Sequence, residues 1–494
     1  MKARRRGGRQ RSLHWRGLRA DADSGRTGPA YPLPVDRSAS LPADADASIR
    51  LAAALLPAAA VLLGAAVPSA RLPRLAVHGL AAAAVVGGPL IALIGAARHG
   101  RRVDPGTPLD GRRPRSITIL VPARNEAHVI EALLFDLGRL RGRPPQVVVI
   151  DDGSDDGTGD AARAAIAAAG VRGRVVRRPG GGDGKGMALA SVAIDPGPDR
   201  IVVVLDADAR VGPGFSAACE EAATWSSSAT ARRRMLRPAP GSRIADILAR
   251  LQDDEQSLDD LVQRARLSLG GAAEFRGNGM LLRADLLATL GGWPGNALCE
   301  DLELSSRLYQ TTGRGVERPP GLVVWEQPVL TLRALFRQRL RWAEGSIRRD
   351  LRIVLPATLR RTGTVRRSFD PLAYAGQALV PWVAIGLAGR CLGSSRAAAR
   401  RGLAALLGGY GIATMTIAWS AGSSSADGSS SRETLSRRAS RTIRSIAIAG
   451  LWLAILPIAW LRVVLRPATT RFAKTTHAAA TAFSEPEPGP PGPT

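Results

Sequence analysis

From about residue 116, apolar and polar positions along the chain switch between two periods. Short, nearly continuous runs of apolar, mostly β-branched residues at 116–121, 147–150, 174–176 and 201–205 predict strands. The last of these, Ile-Val-Val-Val-Leu, has the unbroken apolar character of a parallel strand covered on both faces. Between the strands, 126–140 carries apolar residues at helical spacing and 158–169 reads as an alanine-rich helix. A loop holding Gly180, Gly181 and Gly182 then leads to a helix near 186–193. This alternation predicts an α/β fold, a mostly parallel sheet between two layers of helices. Ligands in such folds sit beyond the carboxyl ends of the strands.

Five other stretches, 51–67, 75–97, 371–392, 403–421 and 443–465, are long, apolar and almost free of charge. At about 1.5 Å per helical residue, roughly 20 of them cross a bilayer. The first two read as a membrane hairpin; the alternative is a pair of alanine-rich helices inside a soluble core. The expected division is a disordered basic arm over 1–50, two transmembrane helices over 51–97 and a folded domain over 98–370. A C-terminal membrane region of two to three helices follows over 371–465, then a disordered tail over 466–494. Arginine in the arm sets it in the cytoplasm, and two crossings return the chain there, so the folded domain is expected on the cytoplasmic side of the cell membrane. Three C-terminal crossings would put Arg396, Arg400 and Arg401 on the far side, against that rule. One stretch lying in the interface is the alternative.

Net charge of +26 invites a nucleic-acid partner, but two features turn that reading aside. Aromatic residues make up only 4% of the chain, too few for base-stacking platforms. Only Lys2, Lys185 and Lys474 are lysines, the other basic residues all being arginine, and many arginines flank apolar stretches where anionic headgroups lie. A membrane is the expected partner, and nucleic acid is not. Cys219, Cys299 and Cys391 stand far apart, as do the five histidines, so neither a zinc site nor a disulfide framework is expected.

The chemistry gathers at predicted strand ends. Asp206-Ala207-Asp208 closes the strand 201–205, and alternate side chains share a face, so both carboxylates leave it on one side. Two hard oxygens there suit Mg²⁺ or Mn²⁺ held against a diphosphate; alone, such a pair is more often a solvated turn. After 147–150 comes Asp151-Asp152-Gly153-Ser154-Asp155-Asp156-Gly157-Thr158. Carboxylates at Asp151 and Asp152 suit the N–H and O–H groups of a base or ribose, while Asp155, Asp156 and Thr158 read as turn and helix-cap residues. Val121-Pro122-Ala123-Arg124-Asn125-Glu126 follows the first strand without a glycine fingerprint for dinucleotides. Lys185, in a glycine-rich loop, is either a diphosphate contact or an exposed lysine, and the residues alone leave both open.

These segments, VPARNE, DDGSDDGT, GKGMALA and LDADAR, stand in the order of the family-2 glycosyltransferases, which the chain resembles over roughly 115–350. Downstream, FRGNG, GGW, CEDLEL and QRLRW follow, the last matching the QxxRW signature of the membrane-embedded branch that includes cellulose, chitin and hyaluronan synthases. The resemblance implies a GT-A fold, Rossmann-like and mostly parallel, with flanking transmembrane helices. It also implies a UDP-sugar donor, whose nucleotide sugar would meet Pro122, Asn125, Glu126, Asp151, Asp152, Lys185 and Asp206. Asp208, helped by Asp206, would hold Mg²⁺ or Mn²⁺, and Asp301 would be the general base. Glu300, Gln338, Arg341 and Trp342 would line the diphosphate and acceptor entrance, with Glu303, Arg337 and Arg339 in support. Without the motif order, the acids at 300–303 would read as a solvated helix start and the arginines at 337–341 as a membrane-facing helix surface.

Two departures bear on the acceptor. Cys299 stands where Thr often precedes the Glu-Asp pair, and no gating segment like that of cellulose synthases follows. The run ALCEDLELSSRLY with QRLRWAEGSIRRDL is similar to glucosyltransferases that make monoglucosyl-diacylglycerol. The expectation is inverting hexosyl transfer to a membrane-associated acceptor, best a lipid, giving a β-glycolipid. The alternatives are a processive β-linked polysaccharide synthase and an inactive membrane-anchored scaffold that binds a nucleotide sugar.

Overall fold

The computed structural model describes residues 43–67, 71–97, 113–197, 199–360, 379–392, 396–421, 434–467 and 483. Its main sheet has six strands: β1 (Ser116–Ala123), β2 (Gln146–Asp151), β3 (Gly173–Arg177), β4 (Arg200–Val204), β5 (Ser228–Thr230) and β7 (Met280–Arg283). They are ordered β3-β2-β1-β4-β7-β5, and a second small sheet pairs β6 (Arg232–Met235) with β8 (Val323–Glu326) in parallel. The four leading strands are parallel, and β7 runs antiparallel to β4 and β5. Helices cover both faces: α3 (Ile130–Gly138), α4 (Thr158–Ala168) and α6 (Phe215–Trp225) on one, and α5 (Lys185–Ala190), α8 (Ala284–Thr289) and α9 (Glu300–Thr312) on the other. Alternation along the strands divides the core accordingly. Ile119, Val121, Val149 and Val203 pack with Leu133 and Phe215, while Leu120, Val148 and Val202 pack with Leu189, Phe275 and Leu304. Two covered faces explain the unbroken apolar strands.

Two long helices tie this domain to the apolar stretches. The helix α7 (Arg243–Ser268) is capped by Ser242, whose hydroxyl accepts from Ala245 N, and α10 (Leu332–Arg349) by Thr331 in the same way. Leu340, Ala343 and Ile347 form a stripe on α10, continued by Leu351 in the π-helical turn before α11 (Leu355–Arg360). That stripe packs on Ile49 and Ala53 of α1 (Ala43–Ala66) and on Ile455, Ala459 and Trp460 of α14 (Leu435–Leu465). The remaining apolar helices are α2 (Arg71–Ala97), α12 (Leu379–Cys391) and α13 (Arg396–Ala421). Among the described residues α1, α2, α13 and α14 are long and apolar enough to cross a membrane.

Their contacts with the domain differ. Near its C-terminal end, α2 meets α7, where Gly95 admits the Leu261 carbonyl: a Cβ there would lie 2.4 Å from it. By contrast, α14 lies along both α7 and α10. Arg444 pairs with Asp254 at 2.5 Å, Trp452 Nε1 donates to Glu255 at 2.7 Å, and Arg462 pairs with Glu344 at 3.1 Å.

The helices begin earlier than the apolar runs suggested. Residues 43–50, expected in the disordered arm, form the first turns of α1, because Ile49 is buried against α10 and α14 and Asp46 pairs with Arg348 at 3.9 Å. Likewise α13 starts at Arg396 and α14 at Leu435, since a helix does not end where its charge begins. Residues 1–42 of the expected arm, and the expected tail apart from 466, 467 and 483, lie outside the described residues.

Candidate active site

At the carboxyl ends of β1, β2 and β4 the chain opens into a cavity of about 1240 Å³. Pro122 and Glu126 after β1, Asp152 after β2 and Asp206 and Asp208 after β4 line one end. Asp152 is buried and accepts from Arg178 Nε at 2.7 Å, and Arg178 also pairs with Asp183 at 2.7 Å. Glu300 and Asp301, at the start of α9, and Gln338, Arg341 and Trp342 of α10 line the middle. The cavity then continues to side chains of α2, α13 and α14.

Lys185 joins three of these elements. Its ammonium donates to Asp206 Oδ1 at 2.5 Å and to the Gly277 carbonyl at 2.9 Å, and it lies 3.6 Å from Glu300 Oε1. Burial alone would lower its pKa, but the Asp206 and Glu300 carboxylates outweigh that and raise it, so the ammonium stays charged. Gly277 holds a left-handed φ of 73°, and a Cβ on it would point between Asp301 Oδ2 at 3.6 Å and Lys185 Nζ at 3.8 Å. That turn therefore keeps open the space where an acid and an ammonium face each other.

Crowding of acids shifts their protonation. Burial pushes the Glu300 carboxyl up to about 7, with Lys185 opposing and Asp301 adding. Burial likewise raises Asp301, against the pull of Lys185 and Arg276. Asp301 Oδ1 accepts from the Leu302 backbone at 2.9 Å, and the helix dipole at the start of α9 favours its charged form. Glu326, at the end of β8, is pushed up to about 7 by burial; Arg233 opposes this, while Asp206 and Asp208 add to it. Asp208 is buried and accepts from the Gln327 backbone at 3.3 Å. Cys299 makes no side-chain cap bond for α9.

The QRLRW segment is anchored by a residue expected only in a supporting role. Arg339 is 1% exposed, pairs with Glu255 of α7 and stacks 4.3 Å from the Trp342 ring centroid. Arg233 lies 5.8 Å from the same ring. Because Glu255 also accepts from Trp452, one carboxylate fixes α7, α10 and α14 together. Arg337 does not line the cavity, and Glu303 pairs with Arg307 at 2.8 Å and with Arg352.

Most expected site residues converge on the cavity; Asn125 and Asp151 do not. Asn125, at φ 55°, accepts from Asp155 N at 3.0 Å and donates its own N–H to Ser154. Asp151 is fully buried, accepts from Ser154 N at 2.8 Å and pairs with Arg177 at 3.5 Å. Both build the loop that presents Asp152, because neighbouring residues at a strand end point to opposite sides. Neither Asp156 nor Thr158 is the N-cap of α4, which is Gly157 without a side-chain cap bond. Asp156 Oδ1 accepts from Thr158 N at 3.0 Å just before the cap turn, and the Thr158 hydroxyl accepts from Glu126 N at 2.8 Å. Sequence reading missed Arg233, Glu255, Asp259, Arg276 and Glu326, all on the wall. The available signal was the i, i+4 acid pair Glu255 and Asp259, which shares a helix face.

Carboxylates, an ammonium and arginines gathered beyond parallel strand ends make a ligand site suited to a charged, hydroxyl-bearing substrate. Residues 114–345 match the family model described as glycosyltransferase like family 2. A β-monoglucosyldiacylglycerol synthase of Synechocystis sp. is 30% identical over 378 residues, covering 74% of this chain and 75% of that protein. A protein of the same name from Trichormus variabilis is 31% identical over 260 residues, 52% of this chain and 54% of its own. A solved mannosyltransferase of Pyrobaculum calidifontis superposes with a TM-score of 0.49 at 22% identity, over 71% of this chain and 98% of its own. The chain belongs to the family-2 glycosyltransferases; it is a membrane-associated glycosyltransferase.

Removing Glu255 leaves the Arg339 guanidinium buried without its partner, which costs about 3–5 kcal/mol. Glu255→Ala is expected to lower the melting temperature in detergent. The double variant Glu255→Ala/Arg339→Met should recover much of the stability, and a double-mutant cycle on thermal unfolding checks it.

Proposed function

We propose that the protein transfers a hexosyl unit from a UDP-sugar to the hydroxyl of a membrane lipid such as diacylglycerol, with inversion at the anomeric carbon. One observation carries this reading: a single cavity runs from Asp152, Lys185 and Asp208, past Asp301, to the apolar helices. The name shared by the cyanobacterial relatives supports the lipid. The catalytic domain is read as cytoplasmic, on a multi-pass protein of the cell membrane. Arginine-rich flanks support that side, and the contacts of α14 along α7 and α10 support its lying in the interface rather than crossing.

Asp152 accepts from the base or ribose of the donor, and Lys185 moves its charge from Asp206 and Glu300 towards the diphosphate. Asp301 takes the proton of the acceptor hydroxyl as that oxygen attacks the anomeric carbon and the sugar–phosphate bond breaks. Arg341 offsets charge on the departing UDP, and Trp342, its ring stiffened by Arg339, offers a face to the sugar.

A divalent cation, Mg²⁺ or Mn²⁺, fits the donor set. Asp206 and Asp208 offer hard oxygens, their charge adds to the raised carboxyl of Glu326, and Gln327 Oε1 is buried with no hydrogen-bond partner. Among the described residues no three His, Cys, Asp or Glu side chains close a metal cage, which suits an ion whose shell the substrate diphosphate completes. When bound, such an ion neutralises charge on the leaving diphosphate.

Asp301→Asn is expected to cut turnover by about 10²–10⁴-fold while UDP affinity stays close to wild type, because the amide keeps the shape but accepts no proton. Turnover in labelled-donor assays and UDP titration calorimetry check this, and near-wild-type turnover would remove Asp301 from the role.

The raised carboxyls give the pH dependence its sign. A carboxylate whose pKa is raised holds its proton to higher pH, so base function is present above that pKa and lost as pH falls through it. Turnover should therefore decline as pH drops through about 7, where Glu300 takes up a proton and the electrostatic balance around Asp301 changes. A flat profile from pH 8 to about 5, well below the usual histidine range, would contradict it.

Chelator is expected to abolish transfer and added Mn²⁺ or Mg²⁺ to restore it, while Asp208→Ala weakens Mn²⁺ binding measured by electron paramagnetic resonance in the presence of UDP. Full wild-type turnover in excess chelator would count against the metal.

A further inference from the structure

We propose that the membrane-side arm of the cavity is an acyl-chain slot, which seats the tail of the acceptor so that its hydroxyl is held at Asp301. The inference rests on the lipid-acceptor reading and adds to it where the tail lies and which residues measure it. The arm is walled by Leu90 of α2, Tyr410 and Ile417 of α13, and Ile448, Ala449 and Trp452 of α14.

Three observations support this assignment. First, about 1240 Å³ exceeds the roughly 300–1,000 Å³ typical of a single small-ligand site, so the cavity has room beyond a nucleotide sugar. Second, its two ends differ in chemistry. The strand-end wall carries Asp152, Lys185, Asp206 and Asp208, while the far wall is almost wholly apolar. That wall carries two hydroxyls, those of Tyr410 and Thr414, and Thr414 already donates to the Tyr410 carbonyl of its own helix at 2.9 Å. A growing glycan would need a succession of hydrogen-bonding groups there; an alkyl chain needs none. Third, the apolar wall is not an accident of open packing. Gly88 of α2 lets α13 approach until a Cβ would lie 2.5 Å from Ala413 Cα, and Gly409 likewise admits Ala81 at 2.8 Å. Contact this close sets the spacing of two walls of the arm, and Glu255 sets the third by holding Trp452 of α14.

A tail moving from bilayer to slot leaves one hydrocarbon environment for another, so little affinity comes from burial. What the slot supplies is position: a tail of fitting width lets the hydroxyl stand at Asp301, and a filled slot displaces it. The expected effect is therefore on selectivity between acceptors rather than on the donor.

The test uses the full-length protein in lipid–detergent micelles with its preferred UDP-sugar and two acceptors, dihexanoylglycerol and dipalmitoylglycerol. Ala449→Phe, which narrows the slot, is expected to lower kcat/KM for the long-chain acceptor relative to the short-chain one by about tenfold. Leu456→Ala, at a further residue of α14 on the cavity wall, widens the slot and is expected to shift the ratio the other way. Because Ala449→Phe can also disturb folding, wild-type protein is cross-linked with a diacylglycerol bearing a diazirine at the end of its chain. Label is expected on peptides covering 410–417 and 448–456. Equal losses for both acceptors, together with label spread evenly over all the apolar helices, α1 included, would overturn the slot while leaving lipid glycosylation standing. Wild-type protein that glycosylates neither lipid and builds a water-soluble chain would instead overturn the lipid-acceptor reading, and the slot with it.

Discussion

Everything at the site depends on how five carboxylates are kept together in a partly dry cavity. Asp206, Asp208, Glu300, Asp301 and Glu326 come from three separate stretches of chain, and like charges at this density repel strongly where water is scarce. Lys185 is the ammonium among them and the only lysine of the described residues. By contacting Asp206, Gly277 and Glu300 at once, it fixes the strand end, the glycine turn and the start of α9. Burial first, and the neighbouring acids after it, raise the carboxyls of Glu300 and Glu326 against the pull of Lys185 and Arg233. Such an acid cluster is what makes a cation, or a proton taken from substrate, welcome there.

The second constraint is mechanical. A soluble α/β domain has no reason of its own to face a membrane in one orientation, and its apolar neighbours are slippery surfaces with little directional preference. Direction comes instead from arginine forks and one indole N–H. Arg339 reaches Glu255 from α10, Trp452 reaches it from α14, and Arg444 reaches the neighbouring Asp254. Planar guanidinium groups accept few alternative geometries, so these contacts fix rotation where apolar packing fixes only distance. The cavity sits beside this junction, which is why its wall can be polar on the domain side and apolar on the other.

Much of this was legible in the sequence, and the reasons it was or was not are physical. The parallel strands and the acids that end them are local: an apolar run followed by Asp206 and Asp208 carries its meaning within eight residues. The distinction between Asp151 and Asp152 was not legible, because two adjacent carboxylates at a strand end look alike in a string and face opposite ways in space. Asn125 sits in a motif for the sake of the Ser154 loop it holds, and a motif does not say which of its members touch a ligand. The role of α7 was hidden by distance: Glu255 finds Arg339 84 positions away and Trp452 197 positions away. The exact starts of the membrane helices were hidden for a different reason, since arginines and aspartates that find partners are carried inside helices that hydropathy alone would shorten.

The same pairing changes what the chain's charge means. A net charge of +26 suggests a basic surface, yet many arginines are not on the surface. Arg232, Arg264, Arg318, Arg339 and Arg349 are all buried or nearly so. Arg349 pairs with Glu274 and Asp350, and the other acceptors of arginine are concentrated on α7: Asp260 takes Arg232, Arg264 and Arg318, Asp259 takes Arg276, Asp253 takes Arg234, and Asp254 and Glu255 take Arg444 and Arg339. The acidic run that looks like a solvated helix face is thus an interior counter-ion ladder, running from β6 to the membrane helices. Buried pairs of this kind add little stability over apolar packing, because desolvation offsets most of the attraction. What they add is registry, and registry is what a site assembled from distant segments at a membrane surface requires.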